Sequence, residues 1–370
     1  MDKKLVGLVV TNLAGSGAEK VVLNLFDMFE KKSINVYVFL LEDLVLYNLS
    51  KSQESKIVTL SKKRNIYKFL SFLGDKLLSN KLFNRILDIE KKEEKIFDLI
   101  ISNLPAADRI TSLLDAKRNI YYCIHTSYLQ EIIEFKKNNK INRALKKEKL
   151  YKKIYENKKL VSVSDGIIED LDKLKINYKS IQTIYNPFNF EYIKQMGQKT
   201  DEENISFEYV ICASAYRSVK RHDILLSAYK KSNLDEKLVL LCEETIELKT
   251  LIKELELEQK VYILGFRKNP YPYIKNAKFL ILSSEREGLP TVLIESLILN
   301  TPVVSTNCVS GPSEILTGEL SKFLSKVNDS DDLAKKINMM SIEKIIIDDK
   351  YINKFEESNI YNKYNKLMKV

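Results

Sequence analysis

Short apolar runs alternate with longer amphipathic segments along the whole chain. Four runs in the first half have the length of a buried strand: 4–10, 36–41, 97–102 and 119–124. Between the first two, residues 18–29 repeat their apolar side chains at helical spacing. Buried parallel strands are nearly continuous apolar runs, whereas amphipathic helices repeat apolar positions every three or four residues. The pattern predicts an α/β fold made of βαβ units.

The second half repeats this pattern. Its strand-like runs are 209–213, 238–241, 279–282 and 302–304. Between the last two, Pro290 fits the first turn of a helix, where its missing N–H costs nothing. Asn300 suits the left-handed residue after the last turn, and Pro302 cannot continue the helix. We therefore expect a helix from about Pro290 to about Leu299.

Two carboxylates flank the start of this helix. Glu287 falls in the loop at the carboxyl end of a strand, and Glu295 falls on the helix, roughly 7 Å along its axis from Pro290. Gly288 permits a tight loop between them. A helix N-terminus at the carboxyl end of a parallel strand binds anions, commonly a diphosphate. One carboxylate could then take sugar hydroxyls and the other ribose hydroxyls, although a solvated loop acid and a surface helix acid have the same spacing.

Length and composition indicate two domains and no membrane span. The chain has 370 residues, 45% of them hydrophobic, which suits two domains of about 180 residues. No apolar run reaches 18 residues, and the first run is too short for a signal peptide. Four distant cysteines and two histidines favour neither a disulfide framework nor a zinc site, so we expect a cytosolic protein with reduced thiols. Asp329 and Asp331 precede a predicted helix and are better explained as capping residues than as metal ligands.

The formal net charge of +10 permits anionic partners without identifying one. Residues 62–95 are basic and helical, with one apolar side. Residues 136–159 carry eleven basic residues against two acids, interleaved with tyrosine and leucine. Such segments are either ordinary core and solvated helix, or interfacial helices on an anionic bilayer. The aromatic and basic signatures of an RNA-binding sheet are lacking, so we expect no nucleic acid partner.

Two features of the first half are candidates for chemistry. The loop 11–17 contains Gly15 and Gly17 and leads from a strand into a helix, but Lys20 stands where a dinucleotide fingerprint needs its third glycine. His125 directly follows a strand, so that its side chain can face a ligand at the carboxyl edge of a sheet. A purely structural histidine is the alternative.

Several segments together resemble one enzyme family. The run 261–316 contains Leu264-Gly-Phe, Glu287-Gly-Leu-Pro, Thr301-Pro-Val-Val-Ser-Thr and Gly311-Pro-Ser-Glu-Ile. It resembles the donor-binding half of retaining glycosyltransferases of family 4. Gly15-Ser-Gly-Ala-Glu resembles the family's G-G-A-E loop with one residue altered. His125-Thr and Asn186-Pro also match in position, so the resemblance extends over nearly the whole chain.

The resemblance implies the GT-B architecture, with two Rossmann-like domains whose parallel sheets face each other across a cleft. Residues 1–186 would bind the acceptor and residues 187–350 the nucleotide sugar, while a helix at about 351–370 would return to the first domain. The implied reaction is retaining transfer of a sugar from a nucleotide diphosphate sugar, without a metal or other cofactor.

The resemblance also implies roles for particular residues. The catalytic residues would be His125, Lys220 and Glu287. The donor would be contacted by Gly15, Gly17, Gly288, Leu289, Thr291 and Glu295, and Glu19 would lie on the acceptor side. The family also uses an arginine on the diphosphate, but its usual G-R-L opening is absent here. That role could belong to Arg217, to Arg221 or to neither.

The motifs are most similar to those of members that build bacterial surface glycans, often on lipid carriers. We therefore expect a UDP-sugar donor carrying a hexose or an N-acetylhexosamine, a glycan or lipid-linked glycan acceptor, and a peripheral position on the anionic inner face of the plasma membrane. Two rivals remain at this point. One is a nucleotide-sugar epimerase or phosphorylase of the same fold, and the other is a non-enzymatic basic protein that binds membrane or nucleic acid.

Overall fold

The computed structural model describes residues 3–15, 17–62, 72–114, 117–199 and 205–368. The chain divides into two compact units. One comprises Met1–Phe188 with Glu357–Val370, and the other comprises Asn189–Glu356. The apolar side expected within 62–95 lies outside the described residues, apart from the helix that follows it.

The first unit contains a seven-stranded sheet in which every described pairing is parallel, in the order β3-β2-β1-β4-β5-β6-β7. The strands are β1 Leu5–Val10, β2 Asn35–Leu40, β3 Ile57–Thr59, β4 Leu99–Asn103, β5 Ile120–Ile124, β6 Lys159–Ser162 and β7 Ser180–Thr183. The helices are Gly17–Lys31, Lys51–Ser55, Phe72–Lys92, Pro105–Thr111, Tyr128–Lys137, Ile141–Tyr155, Asp165–Lys173 and, from the end of the chain, Glu357–Leu367. All residues of β1, β4 and β5 are buried, as expected for strands covered on both faces.

The second unit contains a six-stranded parallel sheet in the order β10-β9-β8-β11-β12-β13. Its strands are β8 Tyr209–Cys212, β9 Lys237–Leu240, β10 Val261–Ile263, β11 Leu280–Leu282, β12 Val303–Thr306 and β13 Leu324–Ser325. Its helices are Phe190–Met196, His222–Lys231, Ile246–Glu254, Tyr271–Asn276, Thr291–Ile298, Pro312–Ile315 and Ser330–Ile342. The predicted α/β fold of two parallel sheets is confirmed.

The last helix packs on the first unit. Lys31 Nζ lies 2.7 Å from Glu357 Oε1. The rings of Phe29 and Tyr364 meet edge to face with centroids 5.7 Å apart. Apolar and charged contacts thus join this helix to the first unit, although 168 residues of the second unit separate it from the rest of that unit in sequence.

Each sheet has one switch point, beyond which the later strands are added on the other side of the first strand. In the first unit this point lies between β1 and β4, and in the second between β8 and β11. At such a switch point the loops that follow the two central strands diverge, and they leave a crevice at the carboxyl edge where ligands bind. The loops after these strands are therefore where a site is expected in each unit.

Two smaller expectations are resolved by the structure. The segment 136–159 is part of a helical hairpin, Tyr128–Lys137 and Ile141–Tyr155, and it is not simply solvated, because Tyr151 and Tyr155 are fully buried. Asp329 caps the helix Ser330–Ile342 by accepting from the N–H groups of Asp331 and Asp332. Among the described residues, no helix is long and apolar enough to cross a membrane.

Candidate active site

Lys220 and Glu287 form an ion pair at the switch point of the second unit. Lys220 Nζ lies 2.6 Å from Glu287 Oε1, and the two side chains are 23% and 12% exposed. Lys220 ends a short 3-10 turn, Ser218–Lys220, in the loop after β8, and Glu287 lies in the loop after β11. The structure therefore joins two of the predicted catalytic residues across 67 positions of sequence.

Backbone contacts hold the two loops against each other. The Ser283 hydroxyl donates to the carbonyl of Lys220 at 2.7 Å, and the N–H of Glu285 donates to the carbonyl of Val219 at 2.9 Å. The position of Lys220 relative to the β11 loop is thus fixed by hydrogen bonds to its own carbonyl and to that of Val219, and not only by its charge. A fixed cation at the carboxyl edge is suited to stabilise negative charge that develops on a bound group.

Two buried thiols lie close to this ion pair. Cys212 ends β8 and Cys308 follows β12, and both are free and buried. Burial raises the pKa of the Cys212 thiol to about 11, and it also raises the pKa of Cys308. Both thiols stay protonated at neutral pH, so neither provides a thiolate nucleophile. The expectation of reduced cysteines in apolar surroundings agrees with this environment.

The two candidate arginines differ from Lys220. Arg221 donates from Nη2 to Asp223 Oδ2 at 2.7 Å, and its Nη1 lies 3.8 Å from Glu285 Oε2. The hydrogen bond to Asp223 raises the pKa of Arg221. Arg217 is exposed and directly precedes the 3-10 turn. Of these three cations, Lys220 is the one that the structure pairs with Glu287.

The loop 288–291 leads from Glu287 into the helix Thr291–Ile298. Pro290 is the residue before the helix and not part of its first turn as expected, because its ψ of 92° is extended. Asn300 has a φ of 60°, as predicted for the residue beyond the last turn. No side chain caps this helix, because proline has no side-chain acceptor, and the carbonyl of Pro290 accepts from the N–H of Leu293 at 3.1 Å. Thr291 is half-buried, whereas Gly288 and Leu289 are buried.

Gly311 sets the packing of this loop. Its φ is +99°, and a Cβ placed on it would lie 2.4 Å from Pro290 Cδ and 3.2 Å from the carbonyl oxygen of Gly288. Any side chain at this position would therefore push the loop that carries Glu287 and the start of the helix. The Gly311-Pro-Ser-Glu motif thus acts through close packing against a neighbouring loop.

Glu295 is buried on the helix Thr291–Ile298, with 7% of its surface exposed. The Tyr271 hydroxyl donates to Glu295 Oε1 at 3.1 Å. A surface helix residue, which was the alternative from the sequence, is excluded by this burial. The carboxylate is directed by another helix of the same unit.

In the first unit, the predicted glycine loop follows β1. Gly15 has a φ of +102°, and a Cβ on Gly15 or Gly17 would meet nothing within 4 Å. Gly15 is therefore required by the backbone conformation, whereas Gly17 is not required by packing. Glu19 is buried in the first turn of the helix Gly17–Lys31. The Tyr47 hydroxyl interacts with the charge of Glu19, and burial, together with that charge, raises the pKa of Tyr47 to about 12.

His125 is held at the same edge by Asn103, the last residue of β4. Asn103 Nδ2 donates to the carbonyls of Val9 and Ile101 at 3.2 and 3.1 Å. Its Oδ1 must then accept from His125 Nε2, which lies 2.9 Å away, so His125 carries its proton on Nε2 and a lone pair on Nδ1. Burial lowers the pKa of His125 from its usual 6.5 to about 4, so the ring is neutral at pH 7.

The contributions of Asn103 and Tyr271 were not expected from the sequence, and neither was the packing role of Gly311. For Asn103 a signal was present, since a polar residue ends a buried apolar strand directly before a Leu-Pro turn. For Tyr271 no local signal was present, because its partner Glu295 lies on another helix, 24 residues away. The partners of both side chains come from distant segments.

The chain is similar in sequence to named glycosyltransferases. Residues 197–359 match the family described as Glycosyl transferases group 1. Over 346 residues the chain is 29% identical to the N-acetylgalactosamine-N,N'-diacetylbacillosaminyl-diphospho-undecaprenol 4-alpha-N-acetylgalactosaminyltransferase of Campylobacter jejuni, covering 90% of this chain and 89% of that protein. It is 26% identical to the capsular polysaccharide biosynthesis glycosyltransferase CapH of Staphylococcus aureus, covering 78% of this chain and 83% of CapH. The structure is similar to that of Anabaena HepE in complex with UDP and glucose, with a TM-score of 0.74, 17% identity and 99% coverage of both chains.

Proposed function

We propose that the chain is a glycosyltransferase of the GT-B fold that transfers a hexose or N-acetylhexosamine from a UDP-sugar, with retention, to a bacterial surface glycan or lipid-linked oligosaccharide. Its relatives are named for transfer of N-acetylgalactosamine to a diphospho-undecaprenol-linked saccharide and for capsular polysaccharide synthesis. HepE was crystallised with UDP and glucose. The non-enzymatic alternative is therefore not retained.

The observation that carries the proposal is the pairing of Lys220 with Glu287 at the switch point. A nucleotide diphosphate sugar breaks its bond between the anomeric carbon and the phosphate oxygen. Negative charge then grows on the departing diphosphate, and positive charge grows on the sugar ring. Lys220 supplies the cation for the first charge and Glu287 the carboxylate for the second, so one ion pair serves both ends of the breaking bond.

The remaining assignments follow the chemistry of each group. Glu295 accepts hydrogen bonds from the ribose hydroxyls, and the phosphates lie at the start of the helix Thr291–Ile298, which no side chain caps. The acceptor hydroxyl attacks the anomeric carbon on the side from which the diphosphate leaves, and its proton passes to the departing phosphate oxygen. The step needs no enzymic base and no metal ion, and it rests on positioning and charge stabilisation.

A donor panel tests this function. Thermal shift and saturation-transfer NMR with UDP- and GDP-sugars, each with and without glycan acceptors, should reveal binding of a UDP-sugar and acceptor-dependent release of UDP. An epimerase would convert the donor with no acceptor present. Binding of GDP-sugars alone would overturn the assignment of the base.

His125 gives the first prediction. His125→Ala should lower kcat by raising the activation barrier by about 1–3 kcal/mol, because in the proposed mechanism a buried hydrogen bond to the sugar is lost. The affinity for UDP should stay nearly unchanged. With a pKa of about 4, the ring stays neutral between pH 6 and 8. The pH–rate profile of the wild type should thus show no step from this residue in that range.

The measurement for His125 is steady-state kinetics together with UDP titration and thermal melting. A variant that unfolds would indicate that the ring only supports Asn103 and the β4 edge. Full activity in a folded variant would remove His125 from the site.

The helical hairpin after His125 suits a lipid-linked acceptor. Its two helices run antiparallel, since Tyr128 stacks on Tyr151 with ring centroids 4.0 Å apart and Arg143 lies 4.5 Å from the Phe135 ring. The base of the hairpin lies at Tyr128, three residues after His125. The exposed cations near its tip are Lys136, Lys137, Lys140, Arg143 and Lys146.

Two apolar side chains are exposed among these cations. Ile141 is 48% and Leu145 is 54% exposed, and residues four apart lie on one face of a helix. Apolar residues surrounded by lysines are characteristic of helices that lie on anionic bilayers. We propose that this tip contacts the cytoplasmic face of the plasma membrane, where a lipid-linked acceptor is held.

Vesicle binding tests this surface. The protein should sediment with vesicles of phosphatidylglycerol and phosphatidylcholine more than with phosphatidylcholine alone, since each basic residue near the surface contributes about 1 kcal/mol at low salt. Added salt should weaken the binding. Ile141→Ser with Leu145→Ser should reduce it, whereas Ile342→Ser, at an 84% exposed position of the second unit, should not. Equal sedimentation with both vesicle types would contradict the proposal.

A further inference from the structure

The hydrogen bond between Tyr271 and Glu295 joins two buried side chains from different helices. The hydroxyl of Tyr271 donates to Glu295 Oε1 at 3.1 Å. Tyr271 is 5% and Glu295 is 7% exposed. A hydrogen bond to a carboxylate is about twice as strong as one between neutral groups, and burial limits competition from water. Tyr271 is therefore able to fix the direction of this carboxylate.

The two helices are also tied together below this contact. The hydroxyl of Thr301 donates to the carbonyl of Ile274 at 2.9 Å, and the carbonyl of Thr301 accepts from the Ser296 hydroxyl at 2.9 Å. Thr301 thus bridges the helix Tyr271–Asn276 and the helix Thr291–Ile298. These bonds tie the helix that carries Tyr271 to the helix that carries Glu295.

We infer that Tyr271 is a positioning residue that presets the Glu295 carboxylate for the ribose hydroxyls of the donor. This inference rests on the proposed role of Glu295. The terminal torsion of a glutamate is broad, so an unsupported carboxylate samples many directions. Holding one oxygen fixes the direction of the other, and the ligand then meets a site whose ordering cost has already been met in the free protein.

The test compares two ligands that differ only at the ribose. Isothermal titration gives Kd for UDP and for 2′,3′-dideoxy-UDP with wild type, Tyr271→Phe and Glu295→Gln. We expect wild type to prefer UDP by on the order of tenfold or more, because the hydroxyls bond to a charged group. In Tyr271→Phe this preference should fall by about threefold or more, while the Kd for the dideoxy nucleotide stays unchanged.

Tyr229→Phe is the matched control. Tyr229 is 3% exposed, and its hydroxyl donates at 2.7 Å to the carbonyl of Glu236, directly before β9, at the opposite edge of the sheet from the site. This variant should lose similar stability in thermal melting and keep the full preference for UDP. Loss of a buried hydroxyl as such is thereby separated from loss of carboxylate direction.

Each outcome is decisive. A reduced preference in Tyr271→Phe with an unchanged control supports the inference. If Glu295→Gln loses the preference and Tyr271→Phe keeps it, the positioning role is wrong and the ribose role of Glu295 stands. If Glu295→Gln keeps the preference, the role of Glu295 fails and the inference fails with it. Loss of affinity for both nucleotides in Tyr271→Phe would also overturn it, since one carboxylate contact cannot account for the phosphate affinity.

Discussion

Glu287→Gln should reduce kcat by about 30- to 900-fold, which corresponds to about 2–4 kcal/mol in the barrier. The sugar ring gains positive charge as its bond to the phosphate breaks, and a fixed carboxylate stabilises that charge more in the transition state than before it. Glutamine keeps the shape and a hydrogen-bonding oxygen but removes the charge. The loss should therefore appear in kcat rather than in KM.

Glu287→Gln should not weaken the binding of UDP. In the free protein Lys220 is paired with Glu287 at 2.6 Å, so in the proposed mechanism the carboxylate would compete with the diphosphate for the same cation. Removing the charge of Glu287 releases Lys220, and the affinity for UDP should stay unchanged or increase. Competition by UDP in steady-state assays measures this.

Glu295→Gln is the matched comparison for Glu287→Gln. Ribose hydroxyls are held alike in the ground and transition states, so this variant should raise KM and weaken UDP binding, with a smaller effect on kcat. Identical kinetic patterns in the two variants would contradict the division of roles between the carboxylates. Loss of wild-type activity on adding a chelator would contradict the metal-independent reaction.

Lys220→Ala should have the second large effect. It should lower kcat by raising the activation barrier by about 3–4 kcal/mol, and it should weaken UDP binding as well. In the proposed mechanism the cation stabilises the diphosphate in the bound donor, and does so more strongly as charge develops on it. The substitution also leaves Glu287, whose side chain is 12% exposed, without its cation. Because the pair is only partly buried, we expect a loss of unfolding free energy of about 1–3 kcal/mol, below that of a fully buried pair.

A double-mutant cycle isolates the ion pair. Glu287→Gln combined with Lys220→Ala should be less destabilised in urea unfolding than the sum of the single variants, with a coupling of about 0.5–3 kcal/mol. Lys231→Ala is the control, since Lys231 pairs with Asp331 at 2.8 Å on the surface, where side chains are 45% and 73% exposed. That pair should contribute about 0–1 kcal/mol and leave activity unchanged. Additive effects at Lys220 and Glu287 would contradict a functional pair.

The sequence alone determined the type of fold and the edge of the sheets at which the proposed site lies. Apolar runs of strand length separated by amphipathic segments admit few arrangements other than parallel sheets covered by helices. The carboxyl ends of parallel strands share one edge, so residues that directly follow a strand can be placed on it from sequence. His125 follows β5 and Glu287 lies in the loop after β11, at the edge expected on that basis.

Details that depend on local backbone conformation were predicted less well. Pro290 suits a first helical turn, yet it precedes the helix, because its loop must pack against Gly311 from another segment. The basic segment 136–159 looks solvated by its charge, yet Tyr151 and Tyr155 are buried in it. In both cases the decisive contact comes from residues outside the local pattern.

The partners within each site were decided only by the tertiary structure. Lys220 meets Glu287 because β8 lies beside β11, and Asn103 meets His125 because β4 lies beside β5. That Lys220 pairs with Glu287, and neither neighbouring arginine does, likewise depends on which cation the loop after β8 turns toward the β11 loop. Hydrophobic periodicity specifies which face of each element is buried, but strand order and loop packing follow from how all the elements pack together, and no local segment encodes them.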